Sequence, residues 1–374
     1  MKNKIMRLYF NRLLAVAALL VLISTAAYAT QYTVTDLGTL GGNLSQASGI
    51  NSAGQVVGQS INGNGNQQGF VYNNGAMVGI GTLGGTQSGA YAINSTGQIV
   101  GDATNSAGDQ QAFLYSNGTT QNLGTLGGTS SWAYGINSTG QTVGWADNSA
   151  NSQEAFLYSN GVIQGLGTLG GTSSQAYAIN STGQVTGEAD TSLGLPRAFL
   201  YSNGVMQNLG TLGGIESIGY AINSTGQVAG MSYNNNGLDQ AFLYSNGTMQ
   251  DLGALGGSAS VAYGINSVGD VVGYADTSSG EQAFIYSNGL MQNLNALIGT
   301  DSSLYTLNSA TAINDLGQIA VNGTVNSTGQ SVAFLLTPIT TSSSTAVPAP
   351  GSLALLLFGM AGLVLLSRRR VLES

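Results

Sequence analysis

Residues 126–166 read LGGTSSWAYGINSTGQTVGWADNSANSQEAFLYSNGVIQGL, and this stretch contains four short runs suited to β-strands. We name these runs strands A, B, C and D, and they are Trp132–Asn137, Gln141–Trp145, Glu154–Tyr158 and Val162–Leu166. The Asn160-Gly161 pair between strands C and D is typical of a type I′ hairpin turn. The stretch therefore predicts four short antiparallel strands joined by tight turns.

The same unit recurs seven times at a spacing of 43 residues, or 42 for the last step. One marker is the second Leu of the Leu-Gly-Thr-Leu-Gly-Gly motif, or its equivalent, at Leu40, Leu83, Leu126, Leu169, Leu212, Leu255 and Leu297. Another is the Phe of strand C, at Phe70, Phe113, Phe156, Phe199, Phe242, Phe284 and Phe334. A recurrence this regular indicates a repeat architecture.

Strand C is apolar at consecutive positions, which indicates a sheet that is covered on both faces. Four-stranded units of about 40 residues that stack face to face are typical of a β-propeller. A β-solenoid is the alternative, but it would leave two open ends that need capping. The repeats therefore predict an all-β fold, a seven-bladed β-propeller, over residues 30–340.

The ends of the repeat region are offset in a way that predicts ring closure. Tyr32–Leu37 has the pattern of a strand D with no A, B or C before it, and the last unit stops after its strand C at Ala333–Leu336. We therefore expect the first strand to complete the last sheet, with Val34 buried between blades.

Composition excludes several classes of function. The chain has no Cys and no His, which removes disulfides, thiol nucleophiles, Cys/His zinc sites and Ser-His-Asp triads. Between Gln31 and Thr340 fifteen acidic residues accompany a single basic residue, Arg197. Such a surface does not bind a phosphate backbone, so nucleic acid is not expected as a partner.

Residues 1–29 have the pattern of a secretory signal peptide, with basic residues, the apolar run Leu13–Ile23, and small residues before the cleavage site at Ala29. Signal peptidase would then release a mature chain that begins at Thr30. An uncleaved membrane anchor is the alternative, although the apolar run is shorter than the ~20 residues that span a bilayer.

Residues 341–374 divide into a linker (341–350), an apolar segment (351–367) and a basic tail (368–374). The linker ends in Val347, Pro348, Ala349 and Pro350, and the tail begins with Arg368, Arg369 and Arg370. This arrangement resembles the PEP-CTERM sorting signal of Gram-negative bacteria, with Ala349 in place of the usual Glu. An ordinary tail anchor is the alternative.

The PEP-CTERM resemblance implies a transmembrane segment whose arginines stay in the cytoplasm. It also implies an exosortase-type sorting enzyme as partner, transient anchoring in the inner membrane, and a final location outside the cell or on its surface. The family is linked to exopolysaccharide and biofilm production.

The repeat itself resembles the extracellular HAF repeat of bacteria. The shared blocks are Gly-Thr-Leu-Gly-Gly, Ala-x-x-Ile-Asn, Gly-Gln-Val-Val-Gly and Ala-Phe-Leu-Tyr-x-Asn-Gly, in that order, over residues 31–337. The His that opens the family's His-Ala-Phe motif is replaced in every unit, for example by Glu154 and Arg197. The resemblance implies a secreted repeat protein and transfers no catalytic residue.

Acidic residues after strand B raise the question of metal binding and catalysis. Asp147, Asp190 and Asp276 occupy the same place in three units, with Asn, Ser, Thr or Gly around them. Oxygen-rich loops can bind calcium, but no loop has a fixed order of several carboxylates. We therefore interpret them as solvated turn acids and predict no cofactor and no metal site, with calcium binding as the alternative.

The two tryptophans of the chain lie in the same unit, and we expect them to touch. An A–B hairpin that turns at residues 138–140 places Trp132 opposite or diagonal to Trp145. The equivalent positions of the other units differ widely in residue type, for instance Val261 and Tyr274. We expect them at the end of the ring where the B–C and D–A loops emerge. Packing between blades is the alternative role.

These features predict a secreted or cell-surface protein that is not an enzyme and that binds a polysaccharide or another surface component. The predicted ligand-binding residues are Trp132, Trp145, Asp147 and Tyr274. A carboxylate-based glycosidase or lyase is the alternative, but it needs two carboxylates ~5–10 Å apart, and no such pair stands out. The third hypothesis is a purely structural component of the extracellular matrix.

Overall fold

The computed structural model describes residues 30–339. Their strands form seven four-stranded antiparallel sheets, the blades of a seven-bladed β-propeller. The predicted fold is confirmed, and the solenoid alternative is wrong. Within residues 30–339, no helix has the length and apolar character needed to cross a bilayer. The predicted signal peptide, linker, transmembrane segment and basic tail lie outside the described residues.

Blades 1 to 6 each run through strands A, B, C and D in chain order. Blade 1 consists of β2 (Gly41–Ile50), β3 (Val56–Asn62), β4 (Gln67–Asn73) and β5 (Ala76–Gly79), and blade 2 of β6 (Gly84–Ile93), β7 (Ile99–Asn105), β8 (Gln110–Ser116) and β9 (Thr119–Asn122). Blade 3 consists of β10 (Gly127–Ile136), β11 (Thr142–Asn148), β12 (Gln153–Ser159) and β13 (Val162–Gly165), and blade 4 of β14 (Gly170–Ile179), β15 (Val185–Thr191), β16 (Pro196–Ser202) and β17 (Val205–Asn208).

Blade 5 consists of β18 (Gly213–Ile222), β19 (Val228–Asn234), β20 (Asp239–Ser245) and β21 (Thr248–Asp251), and blade 6 of β22 (Ser260–Ile265), β23 (Val271–Thr277), β24 (Gly280–Ser287) and β25 (Leu290–Asn293). Blade 7 takes β26 (Tyr305–Ile313), β27 (Ile319–Val325) and β28 (Gln330–Pro338) from the end of the repeat region and β1 (Tyr32–Asp36) from its start. Two short 3₁₀ segments, Leu294–Ala296 and Gly299–Ser303, connect blades 6 and 7.

The A strands of neighbouring blades contact one another in a closed circle, so they surround a central channel. The D strands lie at the outer rim, because each sheet is ordered from A to D. We call the face with the A–B and C–D turns the turn face. The opposite face, with the B–C loops and the D–A connections, is the loop face.

The C–D turns have the predicted geometry. In blade 3, Asn160 has φ 52° and Gly161 has φ 82°, the two positive values that a type I′ turn requires. The same Asn-Gly pair closes strands C and D in blades 1 to 6, where each Asn has φ between 50° and 53°.

The blades are held together by repeated apolar and polar contacts. The Phe of strand C is at most 1% exposed in all seven blades. The hydroxyl of Ser131 accepts a hydrogen bond from Ala112 N (2.9 Å) and donates one to Gly124 O (2.7 Å), which joins blade 3 to blade 2. On the turn face, Asn137 Nδ2 donates to Asn180 O at 3.2 Å and joins blade 3 to blade 4. Because equivalent residues make both contacts around most of the ring, one repeated sequence specifies one repeated interface.

The ring closes through the strand that the sequence places there. Strand β1 pairs antiparallel with β28, from Tyr32 opposite Pro338 to Asp36 opposite Phe334. Asn314 Nδ2 also donates to Asn51 O at 2.9 Å, which joins blade 7 to blade 1. The expectation that Val34 is buried is only partly correct, because it is half-buried and packs at the edge of the core.

The structure corrects the bounds of strands A and B. Strand A of blade 3 begins at Gly127, five residues before Trp132, because Gly127 pairs with Asn148 and a bulge follows. Trp132 therefore lies in the middle of its strand rather than at its start. Asp147 lies within strand B and pairs with Gln153, so the description of it as a loop residue is wrong. The same holds for Asp190 and Asp276, which lie in β15 and β23.

Candidate functional site

Five tyrosines surround the central channel. They occupy the same position of strand A in blades 2 to 6, and they are Tyr91, Tyr134, Tyr177, Tyr220 and Tyr263. The centroids of neighbouring rings are 5.1–5.4 Å apart and their planes are tilted by 43–58°. Contacts of this tilted kind are favourable between aromatic rings. We call this set the tyrosine ring.

The tyrosine ring is open on one side, because blades 7 and 1 have Thr311 and Ser48 at the equivalent position. A cavity of about 400 Å³ lies on its loop-face side and is lined by the five tyrosines with Gln46, Ala47, Ser48, Thr311 and Asn322. A smaller cavity of about 220 Å³ lies on its turn-face side. The tyrosines thus line two cavities of the channel, one on each side of their ring.

The variable positions noted in the sequence lie directly beside this ring. In each blade they form a pair of residues that lie opposite each other on strands A and B. The strand A member lies two residues before the position of the ring tyrosine. We call these pairs the channel pairs. They are Gln46–Gln59, Gly89–Asp102, Trp132–Trp145, Gln175–Glu188, Ile218–Met231, Val261–Tyr274 and Ser309–Asn322. They lie in the middle of strands A and B, so their expected place among the emerging loops is wrong.

The two tryptophans touch, as the hairpin predicts. The rings of Trp132 and Trp145 are stacked, with centroids 4.2 Å apart and planes inclined by 21°. Trp145 is buried at 8% exposure, whereas Trp132 is partly exposed. Burial raises the pKa of Tyr134, and a hydrogen bond with the Trp145 side chain partly offsets that rise. Trp132 is therefore the accessible member of the pair, and Trp145 supports it from beneath.

Asp102 is the most buried carboxylate beside the channel, at 2% exposure. Its Oδ2 accepts a hydrogen bond from Gln110 Nε2, while its Oδ1 is buried without a partner of ordinary hydrogen-bond geometry. Burial raises the pKa of Asp102 to about 6, and the nearby Tyr91 hydroxyl offsets part of the rise. Gly89 leaves the space for these groups, since a Cβ there would lie 3.2 Å from Tyr91 Oη and 3.3 Å from Asp102 Oδ1.

Glu188 occupies the equivalent position in blade 4. Tyr177 Oη lies 3.0 Å from Glu188 Oε1 and 3.1 Å from Gln175 Oε1, and it donates to these oxygens. Burial raises the pKa of Glu188, and the hydrogen bond from Tyr177 opposes the rise. The channel thus has a buried carboxylate, Asp102, on one side of blade 3 and a partly buried one, Glu188, on the other, and both are kept by their surroundings from ionising as readily as exposed acids.

Of the other two predicted site residues, Tyr274 lies apart from the tryptophans and Asp147 lies in the same strand as Trp145. Tyr274 is in blade 6, three blades away, and its ring packs against Tyr263 at 5.9 Å. Burial, and next the neighbouring Tyr263, raise the pKa of Tyr274 to about 12. Asp147 follows Trp145 by two residues and is partly buried. The structure therefore unites two of the four predicted residues and places all four on blades that border one channel.

Positive charge is absent from this channel as far as the described residues go. Arg197 is the one basic residue between 30 and 339, and its Nη1 donates to the carbonyls of Pro196 and Ile215, away from the channel lining. In the same part of the chain, no group of three His, Cys, Asp or Glu side chains is placed to hold a metal ion.

Sequence reasoning missed the tyrosine ring, Asp102 and Glu188. A signal was present, because the tyrosines recur every 43 residues within the Ala-Tyr-x-Ile-Asn or Gly-Tyr-x-Ile-Asn motif and are missing only in units 1 and 7. Equivalent residues of strand A converge at the axis of a propeller. A periodic aromatic residue in strand A therefore predicts an aromatic channel.

No protein-family model and no curated protein matches the sequence. Among solved structures, the chain is similar to TolB from Acinetobacter baumannii at 13% identity and a TM-score of 0.45, over 63% of this chain and 61% of that one. It thus spans less than two thirds of that TolB chain.

Two further similar structures are a gluconolactonase and a lectin. The gluconolactonase from Xanthomonas campestris is 9% identical with a TM-score of 0.41, over 84% of this chain and 94% of that one. The Aleuria aurantia lectin is 14% identical with a TM-score of 0.35, over 68% of this chain and 96% of that one. At these values the similarities carry no argument about function.

Proposed function

We propose that this chain is an exported, non-enzymatic binding protein that recognises a polysaccharide at the loop-face mouth of its central channel. The observation that carries the proposal is the contrast between the channel pairs and their scaffold. Residues that hold the blades together are repeated, whereas the channel pairs range from Gly89–Asp102 to Trp132–Trp145. Positions that the scaffold leaves free, around a concave lining, are where a ligand is recognised.

The chemistry of the mouth favours a neutral sugar chain. The partly exposed Trp132 offers a flat apolar surface, and the amides of the Gln46–Gln59 pair in blade 1 offer hydrogen-bond donors and acceptors. A polyanionic glycan would meet carboxylates and no cation, which is unfavourable. Asp147 and Tyr274 lie on strand B of blades 3 and 6, outside the cavity lining, and are candidates for peripheral contacts.

The proposed setting follows from the two ends of the sequence. Signal peptidase would remove residues 1–29, and an exosortase-type enzyme would process the chain near the Val347-Pro348-Ala349-Pro350 motif at the inner membrane. The protein would then act outside a Gram-negative cell, in contact with exopolysaccharide. Intact mass spectrometry of the secreted protein tests this, because the mature chain should begin at Thr30 and end near Val347, and a species that retains Leu353 onward contradicts it.

Glycan-array binding tests the recognition surface. The variant Trp132→Gln copies residues already present at Gln46 and Gln175, so it should fold, yet it removes the indole surface. We expect it to lose binding to the neutral glycans that the native protein retains. The control Ser138→Ala changes an exposed residue on the turn face of the same blade and should bind as the native protein does. Equal binding by all three proteins contradicts the proposed site.

A carboxylate-based glycosidase or lyase is the second candidate, and the surroundings of Asp102 and Glu188 favour it. Both carboxyl groups have raised pKa values and hydroxyl neighbours, and burial raises the pKa of Asp102 to about 6. A carboxylic acid with a raised pKa is suited to proton transfer. In this case polysaccharide incubated with the protein should be cleaved. The variants Asp102→Asn and Glu188→Gln should abolish cleavage, whereas Asp109→Asn, which changes an exposed acid, should not. Binding without cleavage favours the non-enzymatic function.

A further inference from the structure

The tyrosine ring has the composition of a site for a cation. Its five aromatic rings line a cavity of about 400 Å³, within the ~300–1,000 Å³ range of small-molecule sites. The faces of aromatic rings carry partial negative charge, and several rings around one cavity attract an organic ammonium ion.

Two of the five hydroxyl groups of the ring, those of Tyr134 and Tyr177, are engaged in its wall. Tyr177 donates to Glu188 and Gln175, and the Tyr134 hydroxyl is hydrogen-bonded to the Trp145 side chain. The polar ends of these side chains are therefore occupied by protein groups. What they offer to a ligand is mainly aromatic surface.

The negative charge around the cavity also favours a cation as ligand. Asp102 and Glu188 lie directly behind Tyr91 and Tyr177, and Asp102 keeps one buried oxygen without a partner. No cationic side chain among residues 30–339 lies in the channel to neutralise them, because Arg197 is bound to backbone carbonyls elsewhere. Carboxylates behind low-dielectric walls create a negative potential that is focused into the cleft.

We infer that the cavity on the loop-face side of the tyrosine ring binds a small organic ammonium ion, whether free or as a group on a larger ligand. A metal ion suits the site poorly, since Ca²⁺ and Mg²⁺ need several oxygen ligands and the described residues offer no group of three acids. This site adjoins the mouth proposed for glycan recognition and shares Gln46 with it, but its test uses neither Trp132 nor a glycan, so the two proposals can fail separately.

The decisive probe is tetramethylammonium, titrated calorimetrically into the secreted protein at constant ionic strength. The matched neutral probe is tert-butanol, which has a similar apolar shape without the charge. We expect one tetramethylammonium ion to bind per chain and tert-butanol to bind at least about tenfold more weakly, in keeping with the known strength of cation–π contacts. Equal affinities would show that the cavity binds apolar groups without regard to charge, which contradicts the inference. The absence of heat with tetramethylammonium would overturn it as well.

Two substitutions at one position separate the aromatic ring from its hydroxyl. Tyr220→Thr copies Thr311, which this fold already carries at the equivalent position, and should weaken tetramethylammonium binding by about tenfold. Tyr220→Phe keeps the ring and should bind as the native protein does. Native affinity in Tyr220→Thr would contradict the site.

The role of the Asp102 carboxylate is tested by the same titration with a second variant. Its result does not depend on whether Tyr220→Thr folds. Asp102→Asn should weaken tetramethylammonium binding severalfold while leaving tert-butanol unchanged. Asp109→Asn removes an exposed carboxylate of the same blade and should have no effect. Equal effects of the two variants would show that only the net charge of the protein matters, and the inference would fail.

Discussion

Replacement of Asp102 by Asn should stabilise the propeller at neutral pH and not at acidic pH. Asp102 is 2% exposed, and one of its two carboxyl oxygens has no partner. The ionised side chain is therefore poorly solvated in the folded protein and well solvated in the unfolded chain. Asn has the same shape and stays neutral at every pH.

The magnitude follows from the pKa of Asp102, which burial raises from 3.8 to about 6. Each unit corresponds to ~1.4 kcal/mol, so ionisation costs the folded state about 3 kcal/mol. Because the folded protein holds the proton more tightly than the unfolded chain, the free energy of unfolding decreases as pH rises between 3.8 and about 6. Above this pH window the folded protein carries the full cost of the ionised Asp102, and below the window it carries no such cost.

Urea unfolding followed by tryptophan fluorescence measures the effect, since both tryptophans lie in blade 3, next to Asp102 in blade 2. The difference in free energy of unfolding between Asp102→Asn and the native protein should increase by about 2.5 kcal/mol from pH 4 to pH 7.5, because a small part of the cost already applies at pH 4. The comparison of two proteins cancels the contributions of Glu188 and other acids. The control Asp109→Asn should stay within ~0.5 kcal/mol of the native protein. A difference that does not change with pH would refute the reasoning.

Four further predictions concern the fold. Deletion of residues 31–38 should leave β28 with an open edge and cause a much lower melting temperature or aggregation, and a monomer of native stability would contradict closure by β1. Trp145→Ala should lower the free energy of unfolding, measured in urea, by ~3–5 kcal/mol because the side chain is only 8% exposed. Trp132→Ala should lower it by less, and equal losses would contradict the difference in burial. Gly161→Ala should cost ~1–2 kcal/mol because its φ is 82°. Asn137→Ala should cost ~2–3 kcal/mol, measured in the same way, since it removes the hydrogen bond to Asn180 O across blades and those that Asn137 Oδ1 accepts from Thr139 N and Gln141 N in its own turn.

The sequence by itself determined the propeller, the number of its blades and the way it closes. These properties follow from local signals that are repeated: Asn160-Gly161 turns the chain because few other pairs adopt two positive φ values, and consecutive apolar residues around Phe156 require a sheet covered on both faces. The contact of Trp132 with Trp145 was predictable for the same reason, since a short hairpin fixes which residues lie opposite each other.

Only the tertiary structure decided which residues face the channel and what surrounds them. The tyrosine ring brings together side chains that are 43 residues apart in sequence; their period is visible in the sequence, but the contacts between neighbouring rings follow from the packing of strand A around the channel. The burial of Asp102 depends on Gly89 across the strand and on Tyr91, so the sequence of its own strand does not reveal it. Periodicity therefore specifies a repeated scaffold, whereas the environment of each channel residue is set by neighbours from other strands and other blades.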